Sequence, residues 1–220
     1  MFKFEPHAHT AESSACSSLP ARELVERYHV AGFDGIAITD HLYKYLVANH
    51  NNQWDACIDY LLQGYKAAKQ RGDELGMKVI LGMELSFTDR HNDYLVYGFD
   101  EEFLRNNPNL CSLGIKKFFR RYGKDLLIIH AHPYRYGNEA VFPEYIHGVE
   151  VHNGNPRHPN NNKKAMSLYT ARPELYPINA SDAHELEDVG VGWIEFKRPV
   201  VDSFQFRDAV RRREYRRGKK

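Results

Sequence analysis

Apolar positions along the chain switch between two rhythms. Some form short unbroken runs of β-forming residues, and others recur at helical spacing over longer stretches. Residues 2–9 read as a strand, and residues 10–19, with four serines and a cysteine, as a loop. Pro20 suits the start of a helix over Ala21–Tyr28, where Leu24, Val25 and Tyr28 fall on one face. Residues 31–35 end that helix, and Ile36-Ala37-Ile38-Thr39 reads as a buried strand, completing a βαβ unit. The pattern then repeats. A helix is predicted from roughly Trp54 to Leu75, then strands over 78–84 and 94–98. A helix near 112–122, strands at 126–129 and 148–151, a helix near 161–171 and a strand over 176–180 complete the series. This alternation predicts an α/β fold with a parallel sheet, and wholly apolar strands predict that both of its faces are covered. About seven such units, each strand ending in polar residues, favour a closed barrel, because closure brings every strand end to one mouth.

Composition narrows the class without naming the chemistry. The 220 residues fit one domain, with a hydrophobic fraction of 42% and a charged fraction of 27%. A formal net charge of +1 gives no global attraction to nucleic acid or anionic lipid. Cys16, Cys57 and Cys111 are too few and too widely spaced for a disulfide framework and fit a reducing cytoplasm. No apolar run approaches the roughly 20 residues of a membrane helix, so no membrane partner is expected. Residues 211–220 form a tail dense in Arg and Lys, read as a helix end fraying into a charged terminus, with guidance of nucleic acid as the competing use. His29, His50, His147 and His158 read as surface or helix residues.

The remaining histidines fall at strand ends. His7-Ala8-His9 puts two imidazoles on one face of a strand, since side chains alternate with period two. Thr39-Asp40-His41, Glu84 after an apolar run, His130-Ala131-His132-Pro133 and Ser181-Asp182-Ala183-His184 follow. Each motif alone is compatible with a helix cap, a surface ring or a satisfied core residue. A buried carboxylate such as Glu84 is costly unless paired, and a metal would satisfy it. Five strand ends that each present a metal-ligating residue are improbable by chance, and together they predict a cluster of divalent metals.

Taken in order, His7-x-His9-Thr10, Thr39-Asp40-His41, Glu84, His132-Pro133 and Ser181-Asp182-x-His184 resemble the PHP (polymerase and histidinol phosphatase) family over nearly the whole chain. The resemblance implies a distorted (β/α)7 barrel holding two or three divalent ions (Mn, Fe, Zn or Mg) at the C-terminal ends of its strands. It implies His7, His9 and Asp182 at a first metal, Glu84 bridging to a second, His132 at the second, and His41 and His184 at a third. Many relatives carry a histidine before the strand at 94–98; Asp93 stands there in this chain and is the expected substitute. For the loop ligand to the third metal the choices are Glu12, which suits oxygen-preferring ions, and Cys16, which suits zinc; Glu12 is preferred. Arg135 and Asn153 are expected at the substrate, and His152 either at a metal or at the substrate. The implied activity is hydrolysis of a small phosphomonoester or nucleotide by a metal-activated hydroxide, with His184 or His152 assisting departure of the leaving oxygen. Three readings compete: a phosphodiesterase on nucleic-acid ends, an amidohydrolase-like enzyme with Lys78 or Lys124 as a carbamate, and a metal-binding module without turnover.

Overall fold

The computed structural model describes residues 1–89, 91–138 and 141–220. Its strands are β1 (Phe2–Ala8), β2 (Gly35–Ile38), β3 (His41–Leu42), β4 (Lys78–Leu81), β5 (Met83–Ser86), β6 (Asp93–Tyr97), β7 (Leu127–His130), β8 (Gly148–Asn153), β9 (Tyr176–Ala180), β10 (Gly192–Phe196) and β11 (Tyr215–Lys219). The helices are α1 (Ala21–Val30), α2 (Lys44–Asn49), α3 (Trp54–Leu75), α4 (Glu101–Asn106), α5 (Gly114–Tyr122), α6 (Asn162–Ala171) and α7 (Ser203–Arg211).

The strands form two mixed sheets, in the orders β11-β10-β1-β2-β4 and β3-β5-β6-β7-β8-β9. The expectation of an all-parallel sheet is corrected. β6 runs antiparallel to both β5 and β7, β10 runs antiparallel to β1, and β11 runs antiparallel to β10. The connection at 87–92 explains the reversal at β6. It is too short for the crossover of about a dozen residues that a parallel neighbour requires.

The two sheets adjoin on both flanks. On one side β2 gives way to β3 after Thr39-Asp40, and β4 to β5 at Gly82. Backbone bonds from Gly82 N–H to the Ile38 carbonyl (2.9 Å) and from Glu84 N–H to the Thr39 carbonyl (3.1 Å) carry the pairing across. On the other side Ala8 and Ala183 form a parallel bridge, with the His9 N–H on the Ala183 carbonyl at 3.0 Å.

Helices cover the outer faces. α1 buries Ala21, Leu24, Val25 and Tyr28, the face set by its apolar spacing, beside Ile36, Ile38 and Val79. Each such side chain removed from water stabilises by about 1.5–3 kcal/mol before entropic costs. α3 buries Cys57, Ile58, Leu61 and Leu62 and ends at Gly76, whose φ of 74° closes the helix in the left-handed region.

Two further expectations are corrected. The basic tail is not frayed: Arg213 turns the chain at φ 55°, and residues 215–219 pair with β10 along its whole length. Its charged side chains lie on a sheet edge, where they oppose edge-to-edge association. His147 is not a surface residue. Its Nδ1 accepts the Ile128 N–H at 3.1 Å, and its ring packs 4.9 Å from Phe119. Among the described residues no helix is long and apolar enough to cross a membrane.

Candidate metal centre

β1 supplies two of the site's imidazoles by simple alternation. Ala8 faces a core cluster with Leu24 and Ile38, while His7 and His9 face the other way, both fully buried. Met83 and Leu85 likewise enter the core and leave Glu84 between them on the site face. His132 and Asp182 follow β7 and β9 with φ of 28° and 55°. Non-glycine residues there are strained, and the strain places both side chains where an extended backbone would not.

These residues converge. The His7 and His9 Nε2 atoms lie 3.0 Å apart. Glu84 Oε2 is 3.5 Å from His7 Nε2, 3.3 Å from His9 Nε2 and 2.9 Å from His41 Nδ1, while Glu84 Oε1 is 2.9 Å from His132 Nε2. Asp182 Oδ1 is 3.2 Å from His7 Nε2 and 3.4 Å from His9 Nε2. Three overlapping groups each bring their ligand atoms within 4.8 Å of one another: His7, His9 and Asp182; His7, Glu84 and His132; His9, His41 and His184.

The donor set fits divalent cations. Glu84 Oε2 and Asp182 Oδ1 are buried, accept no hydrogen bond, and point among imidazole nitrogens. Two carboxylate oxygens left so would be costly, and a cation among them removes the cost. The titration tendencies agree. Burial works against charge on Glu84, yet His7 and His41 hold its pKa well below the usual carboxylate range. Burial also works against Asp182, yet His7, His9 and Arg135 hold it well below. For His7 burial pulls the pKa down, but Asp182, Glu84 and Glu150 raise it well above the ordinary value. The pocket thus favours positive charge at its centre. His184 differs: burial and the neighbouring His9 lower it to about 3, so its ring is neutral.

Further polar groups fix the ligands. Glu150, fully buried, accepts from His7 Nδ1 (3.1 Å) and from the His132 backbone N–H (2.6 Å). A carboxylate on the far nitrogen of a ligating imidazole sets its tautomer and raises its basicity. Asp40 accepts from the Thr10 N–H (2.8 Å), Thr10 Oγ1 (2.7 Å) and Ser14 Oγ (2.7 Å), which anchors the loop after β1. The sequence reading gave neither acid a role of its own, although Asp40 stands in the Thr39-Asp40-His41 motif. The available signal was an acid inside an apolar strand at Glu150, and an acid between two hydroxyl-bearing motifs at Asp40.

The other expected residues separate. Arg135 stands in the cavity wall, with Nη2 donating to Asp182 Oδ2 (2.5 Å) and Nε to Asn160 Oδ1 (2.9 Å). Asn153 Nδ2 donates to Glu150 Oε2 (2.9 Å) and Asp182 Oδ2 (3.1 Å). Asp93 borders the same cavity and accepts from Ser86 Oγ; it reaches the mouth from the start of its strand because β6 runs backwards. Burial and the nearby Glu84 carboxylate raise its pKa.

Two placements are corrections. Glu12 does not join the cluster: both carboxylate oxygens accept the Ala21 N–H at 3.0 and 2.9 Å, so it satisfies the start of α1. Cys16 does border the cavity beside His41. His152 is not in the cavity wall: a register shift between Glu150 and His152 gives the inward place to Asn153, and the His152 ring meets the Asn162 amide at 3.2 Å.

Comparison with known proteins bears on the family and the fold. A family model described as PHP domain matches residues 5–172, and one described as PHP-associated matches residues 159–215. No curated protein matches in sequence. Among solved structures, the chain is similar to a two-domain protein from Bacteroides vulgatus containing a predicted PHP-like metal-dependent phosphoesterase. The TM-score is 0.71 at 16% identity, over 99% of this chain and 64% of that one. It therefore spans just under two thirds of that relative. It is also similar to PsfC from Pseudomonas syringae, with a TM-score of 0.63 at 15% identity over 96% and 93% of the two chains. An amidohydrolase from Chromobacterium violaceum with bound sulfate and no metal gives 0.56 at 16% identity over 97% of each. At such identities these likenesses speak for the fold.

Proposed function

The chain belongs to the PHP domain family, and from that premise we propose that it is a metal-dependent phosphoesterase acting on a small phosphorylated substrate. The observation that carries the proposal is the pair of buried, unbonded oxygens, Glu84 Oε2 and Asp182 Oδ1, facing the Nε2 atoms of His7 and His9. In this reading His7, His9 and Asp182 would hold one ion, His132 a second, and His41 with His184 a third, and Glu84, within 3.5 Å of His7, His9, His41 and His132, would serve more than one. Such ions, when bound, supply Lewis-acid charge and acidify water. We also read the adjoining sheets as one distorted barrel of seven strands, with β3 continuing β2 and β5 continuing β4; the bonds at both junctions support it.

The chain's own groups then have distinct tasks. Arg135 lies in the cavity wall, and its guanidinium would meet the non-bridging oxygens through Nη1, since Nε and Nη2 already donate to Asn160, Asn153 and Asp182. Asn153 and Asn160 hold that guanidinium in place. His184 is better suited to ligation than to proton delivery. Its Nδ1 lies 2.9 Å from the Asp182 carbonyl, which can only accept, so Nδ1 carries the proton and Nε2 presents a lone pair. His152, outside the cavity wall, has no task here.

Lys78 opens β4, at the end away from Glu84, and Lys124 is exposed, so neither supplies a carbamate. That weighs against amidohydrolase chemistry. A chelator should abolish hydrolysis of a phosphomonoester panel, and manganese or zinc should restore it, while amides and lactones stay intact throughout. Full activity in the metal-stripped protein would sink the proposal.

A further inference from the structure

The hydrolysis proposed above needs a proton at the leaving oxygen, because an alkoxide departs poorly unless an acid protonates it. His184 presents a lone pair and His152 turns away from the cavity, so neither supplies that proton. Of the imidazoles in the cavity wall, His41, His132 and His184 are read as ligands, which leaves His158. The sequence groups it with surface residues, and it is exposed, yet it borders the cavity of about 360 Å³ together with Arg135 and Asp182. Its ring has no hydrogen bond or ion pair among the described residues.

The segment that carries His158, between β8 and α6, is pinned on both sides of it. Asn155, buried, accepts the Arg157 N–H on Oδ1 at 3.0 Å and donates from Nδ2 to the Asp182 carbonyl at 3.2 Å. Asn160, also buried, donates to Asn153 Oδ1 and to the Asn155 carbonyl, both at 2.9 Å. Pro156 and Pro159 fix φ before and after the pair Arg157-His158. Arg157 itself is occupied by Asp188, with Nη1 donating to Oδ1 at 3.0 Å. Direction then singles out His158. Glu84 and Asp182 are fully buried and form the floor of the site, so the attacking water starts there. In-line displacement sends the leaving oxygen the opposite way, toward the exposed rim where His158 stands. Asp93 and Cys16 also border the cavity, on the flank it shares with a neighbouring cavity beside Tyr43, which Arg135 does not line.

We propose that His158 is the general acid that protonates the leaving oxygen. The inference rests on the phosphoesterase reading above and adds a catalytic residue to it. As the bond from phosphorus to the leaving oxygen breaks, its electron pair stays on that oxygen, which takes the ring proton. The attacking water bonds to phosphorus and releases a proton to solvent, and solvent reprotonates the ring. Charge in the site times the step. Burial lowers the pKa of His158, and Arg135, His132 and Arg157 lower it further against the pull of Asp182. A phosphate dianion beside Arg135 has the opposite effect, so the ring gains its proton as the substrate arrives.

Two esters with unlike leaving groups test this in the zinc-loaded protein. Ethyl phosphate releases an alcohol that must be protonated, and p-nitrophenyl phosphate releases a phenolate that departs as the anion. His158→Ala, at an exposed position, should lower kcat on ethyl phosphate about 100-fold or more, and on p-nitrophenyl phosphate far less. Added imidazole should restore part of the loss on ethyl phosphate, while bound zinc, counted by elemental analysis, stays the same. Proton NMR should show the ring signal that the variant lacks titrating at higher pH once inorganic phosphate is added. Equal losses on both esters, no loss on either, or a titration that phosphate leaves unmoved would overturn the role of His158 and leave the phosphoesterase reading standing. Hydrolysis of neither ester by the unaltered, zinc-loaded protein would overturn that reading, and this role with it.

Discussion

Glu150 touches two would-be ligands at once, the His7 ring and the His132 backbone, and this makes it the most informative single position to change. Glu150→Gln keeps the shape but removes the charge that orients His7. Manganese affinity, read by competition with a chelating dye, should weaken about 10- to 100-fold; unchanged affinity would show that His7 is held by its strand alone. His7 and His9 were legible in sequence because period two on a strand leaves no freedom in where they point. Glu84 and Asp182 were legible because burying a carboxylate demands a partner. Glu12 was misjudged for an opposite reason. A carboxylate beside a helix start has a ready use on a backbone N–H, and that nearer claim won. His152 was lost to a register shift in β8, which no alternation rule foresees.

At the scale of elements, the approach of α3 to the loop after β1 is the tightest contact holding the site. A Cβ at Gly64 would come within 1.8 Å of Thr10 Oγ1 and 2.8 Å of Asp40 Oδ2, atoms already bonded to each other. Gly64→Ala should therefore cost about 3 kcal/mol and lower Tm by roughly 10 °C, read by calorimetry. It should also loosen metal binding at His9 and His41, since the same loop and Asp40 stand beside both. A variant with native Tm would mean that α3 can shift freely. The helices and most strands were visible as apolar rhythm. Strand direction was not: β6 is as apolar as its neighbours, and only the length of the 87–92 connection bears on which way it runs. The tail misled because dense charge looks like solvent exposure. A sheet edge is exposed too, so charge alone cannot separate a strand edge from a frayed end.

For the molecule as a whole, His147 couples folding to pH. Burial, with Arg211 nearby, lowers it to about 4, against about 6.5 in the unfolded chain. The unfolded state therefore binds the extra proton between those values, and stability present at pH 7 is lost as pH falls toward 4. From pH 7 to pH 5 the loss from this group should be about 2 kcal/mol, read as a falling urea midpoint. His147→Asn should flatten that slope, and an unchanged slope would assign the loss to other groups. A wider consequence follows from the place of β1, clasped between β2 and β10 with Phe4 paired to Ile194. During synthesis the histidines at positions 7 and 9 emerge long before the strand that pins them. An ion met early can find only loose imidazoles, and selection by geometry has to wait until the ribosome has passed Phe196.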